Sequence, residues 1–361
     1  MPWSCAAIDH GVTIFPTGKI GPCCYISADY LKPITELNNP NRFQDLYSDS
    51  PPSACDTCHR AEHQGIKSYR EHFNRRKSNK PGLQFVDIRN TNYCNLKCRY
   101  CGPHFSSQWS TELGMGNVIH QPIDQYHQLL ITESLQWLYF TGGEPLINPE
   151  HWAFLEKLIN TGYNKNISLL YNTNLTTIKY KDKDIINLWS HFKSVNVCCS
   201  IDAVGIPLEY IRSGSSWTRI KENLETLQQQ IASTDISVSL TPVLSIMNLW
   251  FIEDLFKYAD QQKIPVMPIL LNGPDYLALD VIPDELTELA LECVDRLKKY
   301  MDPALLTAVQ NKIKNNVNNC LFSHALNHIL LLDNIRDEKL FDLLPFNELA
   351  KIKILKNYEY E

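Results

Sequence analysis

From about residue 83 to residue 274, short β-rich runs alternate with amphipathic helical stretches. A chain that repeats this pattern folds as βα units around a parallel sheet. The runs that read as strands are 83–89, 135–141, 167–172, 194–200, 236–242 and 264–271, and the stretches 152–159, 185–192, 217–231 and 249–259 carry helical spacing. Six units are too few for a closed eight-stranded barrel. The expected fold is therefore α/β, a partial (β/α)6 TIM-like barrel with active groups at the C-terminal ends of its strands. A doubly wound sheet is the alternative.

The flanks read differently. Residues 1–80 interleave Gly and Pro with five cysteines, and residues 38–53 carry little hydrophobic periodicity, which predicts a small N-terminal cysteine-rich metal-cluster module. Beyond residue 281 the apolar spacing is helical around 286–301, 305–313 and 321–332, so a helical C-terminal extension is expected. The predicted division is 1–80, 81–280 and 281–361.

Twelve cysteines are many for a chain whose start pairs no basic residues with an apolar stretch, and whose apolar runs, such as 329–332, are too short for a bilayer. A cytoplasmic location away from membranes is expected, where the reducing poise favours metal ligation over disulfides. The net charge of −6 argues against a chain that tracks nucleic-acid backbone. The basic run 59–80, with Arg60, Lys67, Arg70, Arg75, Arg76 and Lys77, reads as a solvated helix face, with an acidic-substrate contact as the alternative.

Directly after the first core strand comes Cys94-Asn-Leu-Lys-Cys98-Arg-Tyr-Cys101, a C-x3-C-x2-C triplet. A [4Fe–4S] cluster normally takes four thiolates, so three on one loop leave one iron open to an outside ligand. Zinc is the alternative occupant. Together with Thr141-Gly142-Gly143-Glu144-Pro145 at the end of the second strand, this triplet resembles the radical S-adenosylmethionine (SAM) superfamily.

The resemblance covers about residues 83–274. It implies that SAM chelates the open iron, and that one electron from the cluster cleaves its sulfonium to a 5′-deoxyadenosyl radical, which abstracts a substrate hydrogen. It also implies that the Gly142-Gly143 turn and Glu144 hold the methionine ammonium, that Arg212 contacts the SAM carboxylate, and that the Tyr100 peptide lies near the adenine. Asn172 and Asn174 share a strand face, as do Ser200 and Asp202. Alone these pairs would read as turn or cap residues; on this scaffold they are expected to reach ribose hydroxyls.

Cys5 is followed by twelve residues, Gly18, four residues and Cys23, and later by Cys55-Asp-Thr-Cys58. This resembles the twitch domain, related to the larger SPASM domain, and implies a second, auxiliary cluster, a [4Fe–4S], on Cys5, Cys23, Cys55 and Cys58. Here the module precedes the barrel rather than following it, and Cys24 competes with Cys23 as a ligand. Zinc is the alternative here too. Cys198 shares the inward parity of Ser200 and Asp202, which makes it a candidate hydrogen-atom donor; a buried cysteine acting as a small hydrophobe is the plainer reading.

Enzymes that resemble this one modify peptides or proteins or dehydrogenate small alcohols, and take electrons from a reduced flavodoxin- or ferredoxin-like donor. A peptide or protein substrate is the first expectation. A small metabolite and a modified nucleotide or nucleobase are the alternatives, and an iron–sulfur sensor or assembly protein that binds SAM without cleaving it is the non-enzyme alternative.

Overall fold

The computed structural model describes residues 3–344, apart from 64, 66, 117 and 233. Twelve strands occur among these residues. They are β1 (Gly11–Ile14), β2 (Lys19–Gly21), β3 (Lys32–Pro33), β4 (Phe85–Ile88), β5 (Trp137–Phe140), β6 (Ser168–Thr173), β7 (Lys179–Tyr180), β8 (Lys183–Asp184), β9 (Ser194–Cys199), β10 (Ile236–Leu240), β11 (Val243–Leu244) and β12 (Ile269–Leu270).

Eight of them form one sheet in the order β10-β9-β6-β5-β4-β1-β2-β3. The pairs from β10 through to β1 are all parallel, and β2 and β3 continue the sheet as antiparallel strands. The fold is a partial TIM-like barrel with a mostly parallel sheet, a cysteine-rich amino terminus and helices towards the carboxyl end.

Side chains alternate across the strands as the period of two requires. Val195, Val197 and Cys199 of β9 are buried beneath the helices, and Asn196 and Cys198 take the other face. The helix Pro149–Thr161 packs Trp152, Phe154 and Leu155 into the same layer. Its buried His151 shares a 2.7 Å hydrogen bond through Nε2 with the Tyr171 hydroxyl, which gives both of these atoms a partner where water is excluded. The helix Trp217–Ile231 buries Ile220, Leu224 and Leu227, three and four residues apart, on one face.

The expected sixth strand departs from the reading. Ile269–Leu270 pairs with β11 in a separate two-stranded sheet and Val266 bridges Leu240, with Met267, Ile269 and Leu271 donating in turn to Leu240 O, Pro242 O and Leu244 O. Pro265 has no N–H to give to this ladder, whereas Pro268 falls between the bonded residues 267 and 269 and faces away from it.

The amino terminus also holds a strand absent from the reading. β1 pairs parallel with β4, from Gly11 opposite Phe85 to Ile14 opposite Ile88, so strands either side of residue 80 belong to one sheet. The carboxyl-terminal helices are Asp284–Asp295, Pro303–Asn315 and Phe322–Arg336; residues 345–361 of the expected helical extension lie outside the described residues. Among the described residues no helix is long and apolar enough to cross a membrane.

Because β1 covers the edge of β4, a chain beginning at residue 81 exposes a full row of unpaired backbone groups. Such a truncated protein is expected to elute as aggregate in size-exclusion chromatography while the full chain does not; a monodisperse truncated protein would show that β4 needs no partner.

Candidate active site

β4 runs straight into the loop of Cys94, Cys98 and Cys101. Cys94 and Cys98 are buried with Leu96 in a small apolar cluster, and Tyr100 and Cys101 pack against it. Burial raises all three thiols, Cys101 to about 12, so each stays protonated until a metal takes the proton's place. Among the described residues no three His, Cys, Asp or Glu side chains converge closely enough to hold a single metal ion.

The loop is braced from several sides by backbone and side-chain hydrogen bonds. Lys97 N–H donates to Ser213 O (3.0 Å) and Arg99 N–H to Ile211 O (2.8 Å). The Cys94 N–H donates to Ser107 Oγ (3.2 Å), and Trp109 Nε1–H donates to Cys98 O (2.8 Å). Asn95 reaches the end of β6, donating to Thr176 Oγ1 (2.8 Å) and accepting from Asn174 Nδ2 (3.0 Å).

The Gly142-Gly143 turn after β5 passes against the start of this loop. Gly143 N–H donates to Thr91 O (3.0 Å) and Glu144 N–H to Tyr93 O (2.8 Å). A Cβ on Gly143 would lie 2.1 Å from Tyr93 O, and one on Gly142 would lie 3.1 Å from Arg89 Cα, so only glycine lets the two backbones approach. Gly142 also takes φ +105°, in the region that disfavours a side chain.

Glu144 is buried, and its carboxylate accepts from Leu146 N (3.0 Å), Thr173 Oγ1 (2.8 Å) and Asn174 N (2.6 Å). Burial pushes it up to about 7, against the pull of these donors and of Arg212. The structure thus turns Glu144 toward the end of β6, where it ties the turn to that strand.

Asp202 follows β9 and is fully buried. Its carboxylate accepts from Tyr100 Oη (2.7 Å) and Val243 N (2.8 Å). Arg212 Nε lies 2.8 Å from the same carboxylate and ion-pairs with it. Arg212 Nη1 donates to Cys98 Sγ at 3.7 Å, and its guanidinium lies 5.5 Å from the Tyr100 ring centroid. Burial works against the charge on Arg212, but Asp202, Tyr100 and Cys98 outweigh it and keep it cationic.

Tyr100, Asp202, Arg212 and Cys98 therefore form one cluster. The Asp202 carboxylate and the Asn174 amide are engaged by protein groups, whereas Asn172 and Ser200 stand half-buried on β6 and just past β9. Cys198 lies on the same side of β9, opposite Asn172 in register, with Ser239 Oγ donating to its sulfur at 3.8 Å. The donor set fits an iron–sulfur cluster with SAM: three thiols share one largely buried loop, and the buried Arg212 guanidinium stands against Cys98 Sγ.

A second group of cysteines lies at the other end of the strands. Cys5, Cys23, Cys55 and Cys58 all line one cleft of about 340 Å³, partly open to solvent, with Trp3, Tyr25 and Tyr69. Burial raises Cys5 to about 12 and lifts Cys23 and Cys55 as well. Arg70 stands over the Trp3 ring (4.1 Å), is paired with Glu62 and donates to Ser4 O (3.1 Å), so it staples this module together. Cys24 does not line the cleft; it lines a separate cavity that also touches Cys23.

One set of site residues escaped the sequence reading. Arg99, between Cys98 and Tyr100, is fully buried and pairs with Asp333 (2.8 Å) and Glu338 of the carboxyl-terminal region, with its guanidinium 3.6 Å from the Tyr210 ring centroid. The helix Phe322–Arg336 also places His328 against Arg99 O (3.1 Å) and stacked on Trp109, and its Arg336 grips Glu112 with two hydrogen bonds. No local signal marks the carboxyl-terminal partners, which lie more than 200 residues from the loop they hold.

Gly143→Ala is expected to cost about 3 kcal/mol or more and to strip iron from the Cys94 loop, measured by urea denaturation and iron content; unchanged values would mean that the two backbones have room to part. Arg99→Met leaves the Asp333 and Glu338 carboxylates without their cation and is expected to cost about 3 kcal/mol in the same denaturation experiment, whereas a loss within error would show that the pairs are idle.

A family model described as the Radical SAM superfamily matches residues 88–259. A GTP 3′,8-cyclase of Helicobacter pylori (strain HPAG1) is 26% identical over 188 residues, 51% of this chain and 54% of that protein. A 7-carboxy-7-deazaguanine synthase of Thermoplasma acidophilum is 25% identical over 108 residues, 30% of this chain and 47% of that protein. An uncharacterised protein of Methanocaldococcus jannaschii is 27% identical over 292 residues, 76% of this chain and 93% of that one. The chain spans about half the length of the curated cyclases it matches. Among solved structures, anSMEcpe with bound AdoMet aligns with 58% of this chain and 57% of that one at 17% identity and TM-score 0.43. Streptococcus suis SuiB aligns with 58% and 46% at 15% identity and TM-score 0.38. Residues 88–259, which carry the three-cysteine loop, the glycine turn, Asp202 and Arg212, thus form a radical SAM domain, the domain of a superfamily of enzymes.

Proposed function

We propose that this chain cleaves SAM reductively and abstracts a hydrogen atom from a substrate held between two cysteine sites. When bound at Cys94, Cys98 and Cys101, the [4Fe–4S] cluster with SAM on its open iron supplies a one-electron cleavage to the 5′-deoxyadenosyl radical. The observation that carries this reading is the buried Arg212 guanidinium, which donates to Cys98 Sγ of the three-cysteine loop.

The chain's own residues supply the rest. Arg212 offers its guanidinium to the SAM carboxylate. The Gly142-Gly143 turn presents backbone to the ammonium, with Glu144 fixing the turn on β6. Asn172 and Ser200 face the ribose, and the Tyr100 peptide borders the adenine. Cys198 is the candidate hydrogen-atom donor on the inner face.

We further assign Cys5, Cys23, Cys55 and Cys58 to an auxiliary [4Fe–4S] cluster that relays an electron to or from the substrate, with a flavodoxin- or ferredoxin-like protein as the outside donor. The four cysteines around one cleft support this assignment. The substrate proposed first is a peptide or protein side chain, by analogy with enzymes carrying twitch-like modules. A purine nucleotide is the second reading, favoured by the names of the curated relatives.

Anaerobic reconstitution is expected to give about eight irons per chain, falling to about four when Cys94, Cys98 and Cys101 are all changed to alanine. Wild type treated with SAM and dithionite is expected to form 5′-deoxyadenosine. Iron that falls from about four to none would remove the auxiliary cluster from the proposal, and wild type that holds its iron yet forms no 5′-deoxyadenosine would remove the SAM cleavage.

A further inference from the structure

A cavity of about 650 Å³, partly open to solvent, lies along the inner face of the barrel strands. Its wall follows the register of the sheet. Phe85 of β4 stands opposite Trp137 of β5, Asp87 stands opposite Tyr139, and Tyr139 stands opposite Leu170 of β6, and all five line the cavity. The helix Tyr69–Arg76 covers this face with Tyr69 and Phe73, and the Phe73 ring meets that of Phe85 edge to face at 5.0 Å.

The cavity lies between the two cysteine sites. Cys23, Tyr69 and Phe73 line both it and the auxiliary cleft, so the wall between the two is one side chain thick. At its other end Asp87 is paired with Arg89, whose Cα lies 3.1 Å from where a Gly142 Cβ would stand.

We propose that this chamber receives a flat, uncharged aromatic ring of a substrate without phosphate groups, carried either by a small molecule or by a peptide side chain. The inference rests on the radical SAM reading above and narrows its substrate. Five aromatic side chains surround the space, and aromatic faces and edges reward a ring with stacked or edge-on contacts beyond simple burial. The charges at the inner end already cancel, because Arg89 grips the Asp87 carboxylate with two hydrogen bonds (3.1 and 2.6 Å). A polyphosphate placed here would lose its hydration with the inner guanidinium already committed, and a polyol would lose water against apolar walls. Arg76, at the outer end, stands over the Trp137 ring at 4.1 Å.

The test uses the anaerobically reconstituted holoprotein with indole as probe, followed by ligand-observed NMR, beside GTP and glycerol. Indole is expected to bind saturably, and neither GTP nor glycerol is expected to displace it. Leu170→Trp, which fills the chamber, is expected to weaken indole at least tenfold, and Leu170→Phe to weaken it less; the second variant carries the test if the first does not fold. Displacement of indole by the tripeptide Gly-Trp-Gly assigns the ring to a peptide, and failure to displace it assigns the ring to a small molecule. Indole that does not bind, that binds the filled variants as it binds wild type, or that GTP displaces overturns the proposal. Failure of the radical reading shows itself separately, as wild type that forms no 5′-deoxyadenosine from SAM and dithionite in the absence of indole.

Discussion

The site depends on two backbones passing at van der Waals distance. The turn after β5 donates its Gly143 and Glu144 N–H groups to the carbonyls of Thr91 and Tyr93, just ahead of Cys94. That contact fixes where the cysteine loop begins, and everything else about the loop is arranged from that point. Glu144 then carries the constraint to β6 through Thr173 and Asn174, and Asn174 returns it to the loop through Asn95. A closed circuit of short hydrogen bonds thus links the ends of three neighbouring strands. The network holds the three thiols on a preset frame, so a cofactor arriving there need not order the chain.

Buried charge serves the same end. Arg212 with Asp202, and Arg99 with Asp333 and Glu338, bring guanidinium groups into places where water cannot screen them. Such pairs add little net stability, since desolvation offsets much of the attraction, but breaking one leaves an uncompensated charge. Their value lies in fixing geometry. Arg99 points away from the cysteines into the carboxyl-terminal helix, while Arg212 approaches Cys98, so the loop is gripped from outside and approached from within by the same kind of group.

Much of this was legible in the sequence because it is local. The βα alternation marks five of the six expected strands in the main sheet, and 217–231 has the helical span found in the structure. The cysteine spacings mark three residues that lie on one loop and four that line one cleft. What escaped is of two kinds. Pro265 was visible and bears on the short pairing of the sixth strand with β10, since it removes a ladder donor. The pairing of β1 with β4, the Tyr100 hydroxyl on Asp202 and the grip on Arg99 are contacts between residues 74, 102 and more than 200 positions apart, and no periodicity in a single sequence encodes them.

The β1–β4 pairing also orders the two cysteine sites. β1 and β4 run parallel, so the loop of Cys94 leaves from the end of the sheet where β1 also finishes. Cys5 lies just before the short helix that leads into β1, and β2 runs back antiparallel to deliver Cys23 near the same starting end. The two sites therefore stand at opposite ends of one pair of strands. Four residues of strand span roughly 10 Å, so the separation between them is about one strand length plus the loops. The inner wall of that interval is the row formed by Phe85, Asp87, Trp137 and Tyr139. In this arrangement the strand that carries the first site also sets the depth of the chamber beneath it, and the amino-terminal segment closes the far end because it is hydrogen-bonded into the same sheet.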